Sequence, residues 1–196
     1  MLQLLIETNS RYSLAETARL AIEGGCGWLI LGAASFQDPE GRDAAGDIAA
    51  FCRESAVMLS VENDVELARR LGAHGVFLRH GGESPVQTRL DLGAEAIIGA
   101  EIASPDAALT LERADIDYLA IPAAMSLPRA AGIITEVRKA GGELPFVYTG
   151  QSFAEGQVSA EDILQAGFAG ICCGKELYDT ADPVAAIASA IKCLNS

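Results

Sequence analysis

Short apolar runs without polar alternation recur along the whole chain. Each follows an amphipathic stretch that closes on a Gly- or Ala-containing turn. The joins read Gly25-Cys26-Gly27-Trp28-Leu29-Ile30-Leu31, Gly72-Ala73-His74-Gly75-Val76-Phe77-Leu78 and Gly93-Ala94-Glu95-Ala96-Ile97-Ile98. Two more follow, Ala114-Asp115-Ile116-Asp117-Tyr118-Leu119 and Gly167-Phe168-Ala169-Gly170-Ile171-Cys172. Strands of this kind are buried on both faces, as parallel strands flanked by helices are. The pattern predicts strands over Leu2–Ile6, Trp28–Leu31, Val57–Val61, Gly75–Leu78, Glu95–Ala100, Tyr118–Ile121, Pro145–Thr149 and Gly170–Cys173. Helix starts fall between them. Ser13 with Glu16 reads as a capping box, and Ser104-Pro105 and Ser159 read as caps. Gly32 to Asp43 reads as a long loop.

Strict strand–helix alternation with no linker or low-complexity tract predicts one α/β domain over residues 1–196, a (β/α)8 TIM barrel. The chain has 196 residues, short against the roughly 250 usual for that fold, so its helices and loops must be lean. In this fold the chemistry lies on the loops after the carboxyl ends of the strands.

Composition narrows the partners. The net charge of −13 opposes binding to nucleic acid and anionic membranes, which need basic surfaces. It leaves room for a phosphorylated ligand, because a loop can hold phosphate through backbone N–H groups. No apolar run is long enough to span a membrane, and the start of the chain reads directly as a strand, not a signal peptide. A cytoplasmic protein is the expectation, with pairing into a homodimer through helices. The five cysteines form no C-x-x-C pair and read as buried structural thiols. Cys172 and Cys173, adjacent on a strand, are expected to point to opposite faces.

Several loops carry candidate chemistry. Asn63 and Asp64 sit where the third strand meets its helix. Asp64 is a hard oxygen ligand suited to Mg2+ and equally a helix N-cap. Arg79-His80-Gly81-Gly82-Glu83 offers a cation, an acid/base and a carboxylate; His80 is read as a catalytic group or a surface histidine. Glu101 is a base, a second metal ligand or a solvated rim residue. Arg129 binds an anion or faces water. Gly150, with Gly174 and Lys175, is read as the phosphate site usual after strands seven and eight, the alternative being plain turn glycines beside a solvated lysine. The Gly32–Asp43 loop has no cation before Arg42 and makes a poor phosphate loop.

Ser60-Val61-Glu62-Asn63-Asp64-Val65-Glu66-Leu67-Ala68 and Leu71-Gly72-Ala73-His74-Gly75-Val76-Phe77-Leu78 resemble the thiamine phosphate synthase family and its thiazole tautomerase relatives. Ile97-Ile98-Gly99, Asp117-Tyr118 with Pro122, Ala166-Gly167-Phe168-Ala169-Gly170-Ile171 and Asp182-Pro183 continue the likeness. The resemblance implies a transferase of thiamine biosynthesis that joins a hydroxymethylpyrimidine diphosphate to a thiazole phosphate. By resemblance Asn63 holds the diphosphate and Asp64 binds Mg2+, with Glu83 as the substitute second metal ligand after a one-residue slip. Gly150, Gly174 and Lys175 hold the phosphate monoester, and Arg79 and Arg129 are anion clamps. The chain departs from the pattern elsewhere. The family's Gln-x-Arg-x-Lys segment falls on Ile30 to Ala34, its second magnesium aspartate near Gly82, its serine after strand five on Glu101, and the tautomerase histidine on Ala103. These departures predict an altered site. Two other readings follow: a non-catalytic phosphate-ligand-binding or regulatory barrel, and an isomerase of another phosphorylated small molecule using Glu101 or His80 as base.

Overall fold

The computed structural model describes residues 1–36, 39–79, 81–122, 124–150 and 159–195. Among them, parallel strands close into a barrel in sequence order. The strands are β1 (Leu2–Ile6), β2 (Trp28–Leu31), β3 (Met58–Glu62), β4 (Gly75–Leu78), β5 (Ile97–Glu101), β6 (Tyr118–Pro122), β7 (Phe146–Thr149) and β8 (Gly170–Cys173). The helices are α1 (Leu14–Glu23), α2 (Pro39–Glu54), α3 (Val65–Leu71), α4 (Pro85–Leu92), α5 (Pro105–Glu112), α6 (Leu127–Lys139), α7 (Ala160–Gln165), α8 (Lys175–Tyr178) and α9 (Pro183–Asn195). No helix among the described residues is long and apolar enough to cross a membrane.

Period-two alternation divides each strand between two cores. One set, including Leu4, Leu29, Val61, Ile98 and Phe146, packs outward under the helices. The other, including Trp28, Ile30, Phe77, Tyr118, Val147 and Cys172, fills the barrel. Cys173 belongs to the outer set, so the adjacent cysteines do face opposite ways. The Tyr118 ring is the plug: Trp28 meets it edge-on at 5.6 Å and Phe77 stacks on it at 6.2 Å. Gly99 makes room for that ring, since a Cβ there would stand 1.9 Å from the Tyr118 Cζ. A filled barrel leaves only its ends for chemistry.

Four local differences from the sequence reading matter for the site. β3 runs one residue further than expected, to Glu62, and β5 starts later and ends at Glu101. Both glutamates are thereby strand residues in the inward-facing register. The segment after β2 is not all loop: Ala33–Phe36 forms a 3₁₀ turn and α2 begins at Pro39. Lys175 opens the short helix α8 and does not sit in an open turn. Cys193 departs from the expectation of buried thiols, being exposed near the end of α9, while the other four cysteines are buried.

Candidate active site

At the carboxyl end of the barrel, the inward register brings together side chains from three consecutive strands. Counting in steps of two, β3 presents Met58, Ser60 and Glu62, and β4 followed by its loop presents Gly75, Phe77 and Arg79. β5 presents Ile97, Gly99 and Glu101. Glu62 is 3% exposed. A buried carboxylate is tolerated only when paired and hydrogen-bonded, and Glu62 has both kinds of partner. Its Oε2 accepts the Ala33 N–H at 2.7 Å, and Arg79 Nη1 stands 3.1 Å from its Oε1. The same guanidinium reaches Glu101, Nε to Oε2, at 3.4 Å. Arg79 thus bridges two carboxylates across β3, β4 and β5.

Asn63 holds this arrangement from below. Its backbone is left-handed (φ 54°), a conformation asparagine adopts more readily than most residues. Its Oδ1 accepts the Arg79 N–H at 2.8 Å, which fixes where the arginine leaves the strand. A Cβ at position 82 would lie 2.3 Å from that Oδ1. This gives a steric reason for glycine near the point where the related family carries an aspartate.

Two cavities flank the Glu62–Arg79 pair. One, about 290 Å³, is lined by Arg79, Thr149, Gly150, Gly174, Lys175 and Glu176, with Glu7 and Phe77 behind. The other, about 320 Å³, is lined by Ala33, Phe36, Arg42, Glu62, Asn63 and Asp64. Arg79 and Lys175 follow β4 and β8, which are opposite in an eight-stranded barrel. The two linings and Glu101 together carry five carboxylates (Glu7, Glu62, Asp64, Glu101, Glu176) and three cations (Arg42, Arg79, Lys175).

The donors expected for phosphate are partly engaged. The Gly150 N–H donates to the Cys172 carbonyl at 2.9 Å, and the Gly174 N–H donates to Glu176 Oε1 at 2.9 Å. Lys175 is exposed at the rim. Cys172, on the cavity floor, is no nucleophile at neutral pH: burial pushes its thiol up to about 12, against the opposing pull of Arg79.

Asp64 is the N-cap of α3, its Oδ1 accepting the Leu67 N–H at 2.8 Å. It also lines the cavity beside Glu62, so capping and ligand roles coexist. Mg2+ is held by one or two carboxylates plus substrate phosphates, and the half-buried Asp64 fits that as a single carboxylate donor. Glu83, its expected companion, lines a different cavity with Glu66, Arg69 and Asp91 on the flank of α3 and α4. Arg129 is exposed in the first turn of α6 and lines neither mouth cavity. His80 lies outside the described residues. The sequence reading missed Glu62, Glu7 and Glu176. For the first two the signal was available: continuing the inward steps from Ser60 and Leu5 reaches Glu62 and Glu7.

A family model described as thiamine monophosphate synthase matches residues 2–175. A thiamine-phosphate synthase of Bacteroides thetaiotaomicron is 29% identical over 94% of this chain and 92% of its own length. That of Natronomonas pharaonis is 29% identical over 90% and 86%. Among solved structures, thiamine phosphate pyrophosphorylase from Pyrococcus furiosus matches with a TM-score of 0.81 at 20% identity, covering 99% of this chain and 95% of its own. At that identity the likeness speaks for the fold alone.

Proposed function

Because the chain belongs to the thiamine monophosphate synthase family, we propose that it acts in thiamine biosynthesis, joining a hydroxymethylpyrimidine diphosphate to a thiazole phosphate. The observation that carries this reading is the pair of cavities on either side of the Glu62–Arg79 ion pair. A condensation needs two substrates held side by side in a fixed orientation, and two adjoining cavities supply that.

In this reading the thiazole nitrogen attacks the pyrimidine methylene carbon. The new C–N bond forms as the C–O bond breaks, and diphosphate departs with the electron pair. The thiazole phosphate occupies the cavity of Thr149, Gly150, Gly174 and Lys175, with the Lys175 ammonium facing its phosphate. The diphosphate lies against Asn63 and Asp64, where Asp64 would hold a Mg2+ that neutralises the departing charge. Arg79, fixed by its two glutamates, orients donors toward the oxyanion between the cavities. Glu101 sets the direction of that guanidinium. Phosphate entry requires Glu176 to release the Gly174 N–H.

The test is product formation from the two substrates with Mg2+, followed as thiamine phosphate and released pyrophosphate. Turnover is expected. Lys175→Ala should raise KM for the thiazole phosphate about tenfold, the size of one charge-assisted hydrogen bond. Absence of both products from folded protein would overturn the assignment.

A further inference from the structure

The cavity of about 290 Å³ after β7 and β8 has its charges the wrong way round for a phosphate. Lys175 is exposed at the rim, whereas the next side chain, Glu176, is half-buried and lines the wall. Glu176 Oε1 accepts the Gly174 N–H at 2.9 Å, so a carboxylate occupies the donor that a phosphate oxygen would take. Burial and then the Glu176 charge push the neighbouring Cys173 thiol up, and Cys173 lines the same cavity. The Gly150 N–H offers no substitute, being committed to the Cys172 carbonyl at 2.9 Å. Glu7 adds a second carboxylate to the lining. Arg79, the other cation on this cavity, is shared between Glu62 at 3.1 Å and Glu101 at 3.4 Å. Like charges held close in a partly dry cavity repel more strongly than in water.

We propose that Glu176 is a specificity-determining residue: its carboxylate is a tethered competitor for the Gly174 N–H that weakens binding of a phosphate ester and spares the corresponding alcohol. A phosphate reaches that N–H only in the fraction of molecules whose Glu176 has swung away, and its apparent affinity falls by that fraction. A hydrogen bond to a charged group sets the fraction at about one in ten or less. An alcohol carries no charge to be repelled and does not need the N–H. The cavity therefore takes the phosphorylated and unphosphorylated forms of its ligand with little preference between them. This rests on the proposed function for the identity of the ligand, a thiazole alcohol and its phosphate. The competition itself rests on the contact between Gly174 and Glu176.

The probes are inorganic phosphate, the thiazole phosphate and the thiazole alcohol, each titrated calorimetrically against the full chain in magnesium-free buffer. The wild type is expected to favour the thiazole phosphate over the alcohol by less than about tenfold. Glu176→Ala should bind inorganic phosphate and the thiazole phosphate at least about tenfold more tightly and the alcohol unchanged. Asp179→Asn is the control for charge, because it removes an equal charge from an exposed side chain that does not line the cavity. Solvent screens that charge, so phosphate affinity should stay within about twofold. A damaged fold weakens binding, so a gain confined to the phosphates is not a product of misfolding. A wild type that favours the ester by more than about tenfold, a folded Glu176→Ala that gains nothing, or equal gains in Glu176→Ala and Asp179→Asn would overturn the inference. Thiamine phosphate formation with phosphate affinity unchanged in Glu176→Ala would sink this inference alone. A gain in inorganic phosphate binding without any product would sink the synthase reading alone.

Discussion

Replacing Arg79 by methionine tests the ion triad most directly. The change keeps most of the aliphatic stem and removes the cation that faces Glu62 and Glu101. The Glu62 side chain is 4% exposed, that of Glu101 17% and that of Arg79 41%. Removing one partner of a fully buried pair costs about 3–5 kcal/mol, because it strands a charge in a poor solvent. Two features lower the figure here. Water reaches the guanidinium, which weakens the pair, and Glu62 keeps the Ala33 N–H. We therefore expect a loss of about 2–3 kcal/mol, nearly all of it from Glu62. For a domain of this size each kcal/mol moves Tm by about 2–4 °C, so R79M should melt roughly 4–12 °C below the wild type by calorimetry or circular dichroism. Adding E62Q should restore most of the loss, since the stranded charge is then gone. An R79M protein that melts within about 1 °C of the wild type would refute the argument. So would a double variant no more stable than R79M.

Other outcomes follow from buried and capping groups. Only Cys193 should react quickly with a thiol reagent at pH 8, because the other four cysteines are buried and burial raises the Cys26 and Cys52 thiols to about 11 and Cys172 to about 12; more than one fast thiol in native protein would contradict this. The Tyr118 hydroxyl and the Gln3 amide are fully buried neighbours that lack a well-aligned hydrogen bond. Tyr118→Phe should therefore leave stability unchanged or raise it by about 1 kcal/mol, and a clear drop in Tm would show that the hydroxyl is satisfied. Glu16 is held below its ordinary 4.5 by hydrogen bonds from the Ser13 N–H and hydroxyl. A carboxyl lowered on folding stabilises above its unfolded value, and that contribution is lost as pH falls through the folded value. The Tm difference between wild type and Glu16→Gln should accordingly be present at pH 7 and fade toward pH 3; a gap independent of pH would count against the capping box. Gly75→Ala should fail to fold, because its Cβ would stand 1.7 Å from the Ile97 carbonyl oxygen; soluble protein with wild-type melting would refute the close approach.

The barrel was legible in the sequence because its determinants are local. A four-residue run such as Trp28–Leu31, buried at every position and bounded by Gly27 and Gly32, reads as a strand covered on both faces. Ser13 with Glu16 starts a helix through bonds spanning three residues. Those signals also located the functional end of the molecule and the Asn63-Asp64 and Gly174-Lys175 corners. The shape of the site was not legible, because it depends on contacts between strands. Glu62 looked like a loop residue until the register Glu62↔Phe77 turned it into the barrel mouth. Arg79 looked like a loose clamp until two neighbouring strands supplied its carboxylates. Glu83, close to Asp64 in expectation, belongs to another cavity, because the chain after Gly81 turns outward toward α4. Hydrophobic periodicity sets which residues are strands and helices; barrel register and loop direction, fixed only on closure, decide which polar groups meet.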